Sequence, residues 1–170
     1  MNKLNVMKVK LGLIACFFLM SIAPGWTQSK KEIREKAKAA EVQKLLESKR
    51  FSFKAQTAQP MRGGSINLTS NYDLTIRKDT LQSYLPYFGR AYSAPMNATE
   101  SPLTFNTTNF NYTSSNGKKG SKEISIEIKD QAANVRKFYL SVSAQGYATL
   151  QVLNSNRDPI SFNGYISAIK

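Results

Sequence analysis

From Arg50 to the C-terminus the apolar residues recur at every second position, with no helical period between them. Phe51, Phe53 and Ala55 alternate with polar residues as far as Gln59, Pro60 and the Gly63-Gly64 pair. Tyr72, Leu74 and Ile76 come next, and after a turn at Lys78, Asp79 and Thr80 so do Leu81, Ser83 and Leu85. Leu103 and Phe105 mark a short piece, followed by Phe110 and Tyr112. Ile124, Ile126 and Ile128 repeat the pattern, as do Phe138, Leu140 and Val142, then Ala148, Leu150 and Val152. Asn154 to Pro159 is a polar turn, and Phe162, Gly164, Ile166 and Ala168 form the last strand. A period of two sends alternate side chains to opposite faces of a strand. Without crossover helices these strands cannot form a parallel α/β sheet. The prediction is an α+β, mainly β chain, with an N-terminal amphipathic helix followed by an antiparallel β-sandwich or open barrel of about eight or nine strands. Asn116-Gly117 is the clearest hairpin signal, because a type I′ turn needs positive φ at both central positions.

The segment ahead of the strands has a different character. Lys3, Lys8 and Lys10 precede an apolar run from Leu11 to Met20, which ends in Ser21, Ile22, Ala23, Pro24 and Gly25. That order is the basic, apolar and small-residue order of a secretory signal peptide, and the run is too short to span a bilayer. Residues 1–25 are therefore expected to be removed on export to the periplasm or outer envelope. Leu13, Ile14, Ala15 and Cys16 resemble a lipoprotein cleavage box, but the apolar run continues through Phe17 to Met20, so cleavage at Cys16 would split it. Removing the signal takes the net charge from +13 to +10 and removes the single Cys of a chain that has no His. Triads that use imidazole, thiol catalysis, thiolate metal sites and disulfides are then excluded.

Residues 26–50 form the expected helical segment, and residues 51–170 the antiparallel β domain. Ser29 to Lys49 lacks Gly and Pro, and Ala39, Val42, Leu46 and Lys49, with Leu45 alongside, make one stripe. A basic face on such a helix suits a solvated surface, with peripheral contact to an anionic membrane surface as the sharper reading.

Pro86 to Pro102 is the irregular piece between strands, and it carries Tyr87, Phe88, Gly89, Arg90, Ala91, Tyr92, Pro95 and Met96. That much apolar area in a loop must fold back over the core or meet a ligand. Within it, Leu85-Pro86-Tyr87-Phe88-Gly89-Arg90-Ala91 resembles the central motif of a family of secreted bacterial proteins known as domain of unknown function 4251. Gly146-Tyr147-Ala148 and Ser161-Phe162-Asn163-Gly164-Tyr165-Ile166 are similar to that family's C-terminal pattern. The resemblance implies an exported or envelope-associated protein, and supplies neither catalytic residues nor a cofactor.

Other constellations have simpler explanations than chemistry. Ser115 and Lys118 match Ser-x-x-Lys but flank a hairpin turn, where the Lys does not lie one helical turn above the Ser. Glu123 and Glu127 share a solvated strand face with Lys122 and Lys129. Asp73, Asp79, Asp130 and Asp158 are isolated, as turn or strand-end charges. The basic residues beyond Phe51 are scattered, with only Lys118, Lys119 and Lys122 clustered, which does not make a nucleic-acid footprint. Asp79-Thr80-Leu81 resembles a bacterial O-glycosylation acceptor, with Thr80 as the modified residue. Asn67, Asn97, Asn106 and Asn111 begin N-glycosylation sequons that matter only in a eukaryotic secretory pathway.

These observations lead to an expected function. It is a non-enzymatic envelope protein that needs no cofactor or metal, and binds an apolar or amphiphilic ligand or a partner protein through the aromatic loop. Tyr87, Phe88 and Tyr92 would supply rings and Arg90 a guanidinium. A structural or assembly role through protein contact is the alternative, and a glycan or ester hydrolase the weaker one.

Overall fold

The computed structural model describes residues 26–92, 101–130 and 135–169. The described residues fall into two units, divided between Glu35 and Lys36. The expected signal segment and Cys16 lie outside the described residues, as does the loop stretch 93–100. Helix α1 runs Trp26–Ser48. In the first unit it carries an exposed i,i+4 pair, with Lys31 Nζ 4.0 Å from Glu35 Oε1.

The second unit holds the rest of α1 and nine strands. These are β1 (Arg50–Pro60), β2 (Ile66–Arg77), β3 (Thr80–Tyr84), β4 (Thr104–Thr107), β5 (Phe110–Asn116), β6 (Lys122–Ile128), β7 (Val135–Val142), β8 (Tyr147–Asn154) and β9 (Ile160–Ala168). All belong to one sheet in the order β4-β3-β2-β1-β9-β8-β7-β6-β5, and every neighbouring pair is antiparallel.

That order dictates the shape. Direction alternates at each step, so the two outermost strands, β4 and β5, run the same way. They are also consecutive in sequence, separated only by Thr108 and Asn109. A link this short reaches roughly 10 Å, too little for the crossover that joins side-by-side parallel strands. The chain must instead run straight on from one edge of the sheet to the other, which draws the two edges together. Asn109 belongs to this continuation: its N–H donates to Thr107 Oγ1 at 3.0 Å, and its carbonyl accepts from Lys129 N–H at 3.0 Å. The result is a nearly closed, barrel-like sheet with little free edge.

The alternating residues meet inside. Phe51, Phe53, Leu74, Ile76, Leu81, Ile126, Phe138, Leu140, Leu150, Val152 and Phe162 are fully buried. Phe105 on β4 stacks on Phe138 of β7 with ring centroids 6.2 Å apart, across the line where the edges approach. A side chain fills each of these inward positions, so the interior is a packed core.

Val42 and Leu46 are the helix residues buried in this core, with Leu45 half-buried beside them. They sit near the β7–β8 turn, where Cγ2 of Val42 would be 3.1 Å from a Cβ placed on Gly146. Tyr112 Oη donates to the Leu46 carbonyl at 3.5 Å. Burial pushes the Tyr112 hydroxyl pKa up to about 12.

Four expectations need correction. Lys49 does not continue the helical stripe, because it leaves the helix with φ 52° and its carbonyl accepts the Lys78 N–H at 2.8 Å. The β5–β6 hairpin exists, but without a two-residue type I′ turn. Asn116 pairs with Lys122, Gly117 is extended at φ −95°, a 3-10 turn covers Lys118–Gly120, and Gly120 takes the positive φ. Thr80 is the first residue of β3, paired with Arg77 and half-buried, and does not lie in the turn. Finally, β2 starts at Ile66. Ile66 and Leu68 in its first half are half-buried against the core, and the polar residues Thr69 to Asn71 after them fall where the β1–β2 register is irregular.

Candidate functional site

The aromatic segment follows β3 and meets the β8–β9 turn, at the end of β8 opposite the β7–β8 turn where Val42 packs. Leu85 and Pro86 are buried, turning the chain across the core. Ser101 Oγ donates to the Leu85 carbonyl at 2.6 Å, and Ser83 Oγ to the Leu103 carbonyl at 2.6 Å, tying the two ends of this excursion together.

The segment is stitched to the turn between β8 and β9. Ala91 and Arg157 form an isolated antiparallel bridge, Tyr92 N–H donates to Asn156 O at 3.0 Å, and Asp158 N–H donates to Arg90 O at 3.2 Å. Tyr87 Oη lies 3.0 Å from both the Arg90 and the Asp158 carbonyls, one proton shared between two acceptors. The Arg157 guanidinium lies over the Tyr87 ring, 5.4 Å from its centroid. Tyr92 Oη donates to the Asp158 carboxylate. Asp158 is only 6% exposed, and Asn154 Nδ2 donates to its carbonyl at 3.2 Å. Burial and the nearby Asp158 charge raise the Tyr87 pKa, partly offset by Arg157. The hydrogen bond to Asp158 raises that of Tyr92.

The structure therefore divides the four sequence-predicted contact residues. Tyr87 is committed to holding the loop, Phe88 (40% exposed) and Arg90 face outward, and Tyr92 (72%) exposes its ring while its hydroxyl is tied to Asp158. Met61, on the β1–β2 connection, is also exposed, and Arg62 lies close enough to Tyr92 to oppose the rise in its pKa. Asp158 is the residue that the sequence misread. Its position in a polar run gives no hint of burial, which arises from contact with a loop 66 residues earlier.

A second concavity lies on the outer wall, where β1, β2 and β9 form a groove of about 1040 Å³. Asp73, expected as an isolated charge, here lies within β2 and pairs with Lys54 Nζ at 2.5 Å. Among the described residues no three metal-ligating side chains converge, and no helix is long and apolar enough to cross a membrane. Ser115 Oγ lies 3.5 Å from the Glu123 carbonyl, a cross-strand contact within the β5–β6 hairpin.

The family model for the domain of unknown function DUF4251 matches residues 33–166, from within α1 to within β9. The chain belongs to the DUF4251 family. Its fold is similar to the crystal structure of a DUF4251 family protein from Bacteroides eggerthii, with a TM-score of 0.55 over 78% of this chain and 89% of that one. The two share 15% sequence identity, so the likeness concerns the fold alone. No curated protein matches the chain. Within DUF4251, then, the site has to be read from this chain's own residues.

Proposed function

We infer that this DUF4251 protein is an exported, non-enzymatic component of the cell envelope. In this reading it is a nearly closed, barrel-like sheet with an amphipathic helix packed at one end, and it binds a partner protein through the other. The observation that carries the reading is the division of labour in the aromatic segment. Tyr87, the Ala91–Arg157 bridge and Asp158 fix the backbone, and Phe88, Arg90 and Tyr92 are left outward on a rigid base. Holding exposed rings in place lowers the ordering cost of binding, and Tyr and Arg are the residue types that dominate interface energetics. Arg62, Arg90 and Arg157 make the surface basic, which favours a partner presenting carboxylates around an apolar centre.

An amphiphilic small molecule would use the same groups. It would have to lie on this surface, because the inward positions are already occupied by Phe51, Phe53, Phe138 and Phe162. Assembly through a free strand edge is less favoured, since β4 runs on into β5. The test is native purification of the wild-type chain and of a Phe88→Ser, Arg90→Glu double variant, followed by mass spectrometry of co-purifying proteins and lipids. A protein retained by the wild type and lost with the variant is expected. An identical set from both would refute the reading, and a lipid lost in place of a protein would turn it to the amphiphile.

A further inference from the structure

The outer-wall groove is built independently of the aromatic end. Its floor is the outward face of β1, β2 and β9, and its side wall comes from an irregularity in β2. The β1–β2 register passes from Ala55↔Tyr72 to Thr57↔Asn67, so that Leu68, Thr69, Ser70 and Asn71 stand opposite Gln56 alone. Those four residues have no one-to-one partner on β1 and line the groove, with Leu68 half-buried against the core and Thr69, Ser70 and Asn71 exposed.

The floor is a preassembled polar relay. Thr75 Oγ1 donates to Ser52 Oγ at 2.9 Å, and Ser52 Oγ donates to Asp73 Oδ2 at 3.3 Å. Lys54 Nζ reaches the same oxygen at 2.5 Å. Ser52 and Thr75 are 4% and 5% exposed, so this geometry is held by packing. None of the described hydrogen bonds uses Asp73 Oδ1, which leaves it as an acceptor. Tyr165 pairs with Lys54 across β1–β9 and keeps 42% of its surface exposed, so an aromatic ring flanks the ion pair.

We propose that this groove binds a neutral oligosaccharide. Three features of the lining point to that ligand class. First, β1 is hydrogen-bonded on both sides by β2 and β9, so there is no free strand edge for an extended peptide to join. Recognition has to come from side-chain hydroxyls, amides and the paired charges. Second, Lys54 and Asp73 neutralise one another on the floor, so among the described lining residues the remaining positive charge is that of exposed Arg77, whose Nη1 donates to Gln82 Oε1 at 3.1 Å, and no cluster of cations awaits a phosphate or carboxylate. Third, a carboxylate accepts and an ammonium donates, so together they suit a sugar hydroxyl that does both, while the C–H face of a pyranose can pack on the Tyr165 ring. The volume is at the upper end of the roughly 300–1,000 Å³ of small-ligand sites, and the lining is polar where an apolar ligand would need it greasy.

The test is amide chemical-shift titration of the full chain with maltotriose, cellotriose and tri-N-acetylchitotriose, up to millimolar concentrations. At least one is expected to shift amides of residues 52–56, 67–75 and 164–168 while leaving 87–92 unmoved. Tyr165→Ala, at an exposed ring, should weaken that binding by about tenfold. Asp73→Asn, which keeps the shape but breaks the ion pair, should weaken it as well, with far-UV circular dichroism confirming the fold of each variant. The proposal is overturned if none of the three sugars moves the groove resonances. It is equally overturned if the shifts fall elsewhere, if neither variant changes the affinity, or if inorganic phosphate shifts the same amides more strongly. None of these results bears on the partner surface at Phe88, Arg90 and Tyr92.

Discussion

Gly164 sits in β9, between β1 and β8 in the middle of the sheet, where the β1 backbone leaves no room for a side chain, and replacing it with alanine tests the register directly. It pairs with Ala55 on β1 and Ala148 on β8, beside the point where the β1 register shifts. A Cβ there would fall far inside contact distance of the Lys54 carbonyl oxygen, 2.9 Å from its carbon and 3.2 Å from Ala55 Cα. Favourable carbon contacts begin at about 3.5 Å, and the obstacle is backbone, which cannot swing aside like a side-chain tip. Overpacking that side chains can absorb costs about 1–3 kcal/mol. Displacing the β1 backbone belongs at or above the top of that range, so Gly164→Ala should cost about 3 kcal/mol or more. In a body of this size that lowers Tm by roughly 10 °C. Gly64→Ala is the control, since a Cβ there meets nothing within 4 Å, and its effect should stay within about 0.5 kcal/mol. Thermal melts followed by circular dichroism, with urea titrations alongside, read both. If Gly164→Ala melts within a degree or two of wild type, the close approach of β1 and β9 and the register built on it are wrong.

Three smaller perturbations probe other parts of the fold. Tyr87→Phe removes the proton shared by the Arg90 and Asp158 carbonyls, and should cost about 1 kcal/mol while speeding hydrogen exchange at the Tyr92 and Asp158 amides; unchanged exchange would mean the loop is held by something else. Leu46→Ala empties a buried position under α1 and should cost about 2–3 kcal/mol in urea denaturation with an unchanged slope, whereas a cost under about 1 kcal/mol would argue that the helix is not docked. Tyr112, with its folded pKa raised from 10.0 to about 12, contributes stability that is fully present below pH 10 and is lost as pH rises through 12. Tyr87 and Tyr92 are raised as well, so ultraviolet titration of tyrosinate should show a late-ionising component that loses one ring in a Tyr112→Phe variant. A wild-type curve without that late step would contradict its burial.

The strands were legible because one face of each is buried, which forces the period of two. Ile124, Ile126 and Ile128, or Phe138, Leu140 and Val142, could hardly be read otherwise, and all six are buried. What escaped the sequence was set by contacts distant along the chain. The closure by β4 and β5 follows from strand order, which no local pattern encodes. The groove wall at Leu68–Asn71 depends on the irregular β1–β2 register, and the Lys54–Asp73 pair on which positions of two strands stand opposite one another, neither of which a local pattern encodes. At the aromatic end, composition marked Tyr87 to Tyr92 as unusual, and it could not separate the ring that holds the loop from those that face outward. That distinction depends on Asp158 and Arg157, far away in the sequence. In the β5–β6 turn, Asn116-Gly117 correctly announced a hairpin, yet the positive φ went to Gly120, because the 3-10 turn of Lys118–Gly120 lengthened the connection.

The partner surface is tested most directly by photo-crosslinking in intact cells, with a photoreactive residue placed at Tyr92 in one strain and at Tyr139 in another. Both side chains are exposed, Tyr92 on the aromatic end and Tyr139 on the wall formed by β7. The account predicts a discrete protein adduct from position 92 that vanishes when Phe88→Ser is introduced, and none from position 139. The same adducts from both positions, or an adduct from position 139 alone, would contradict it.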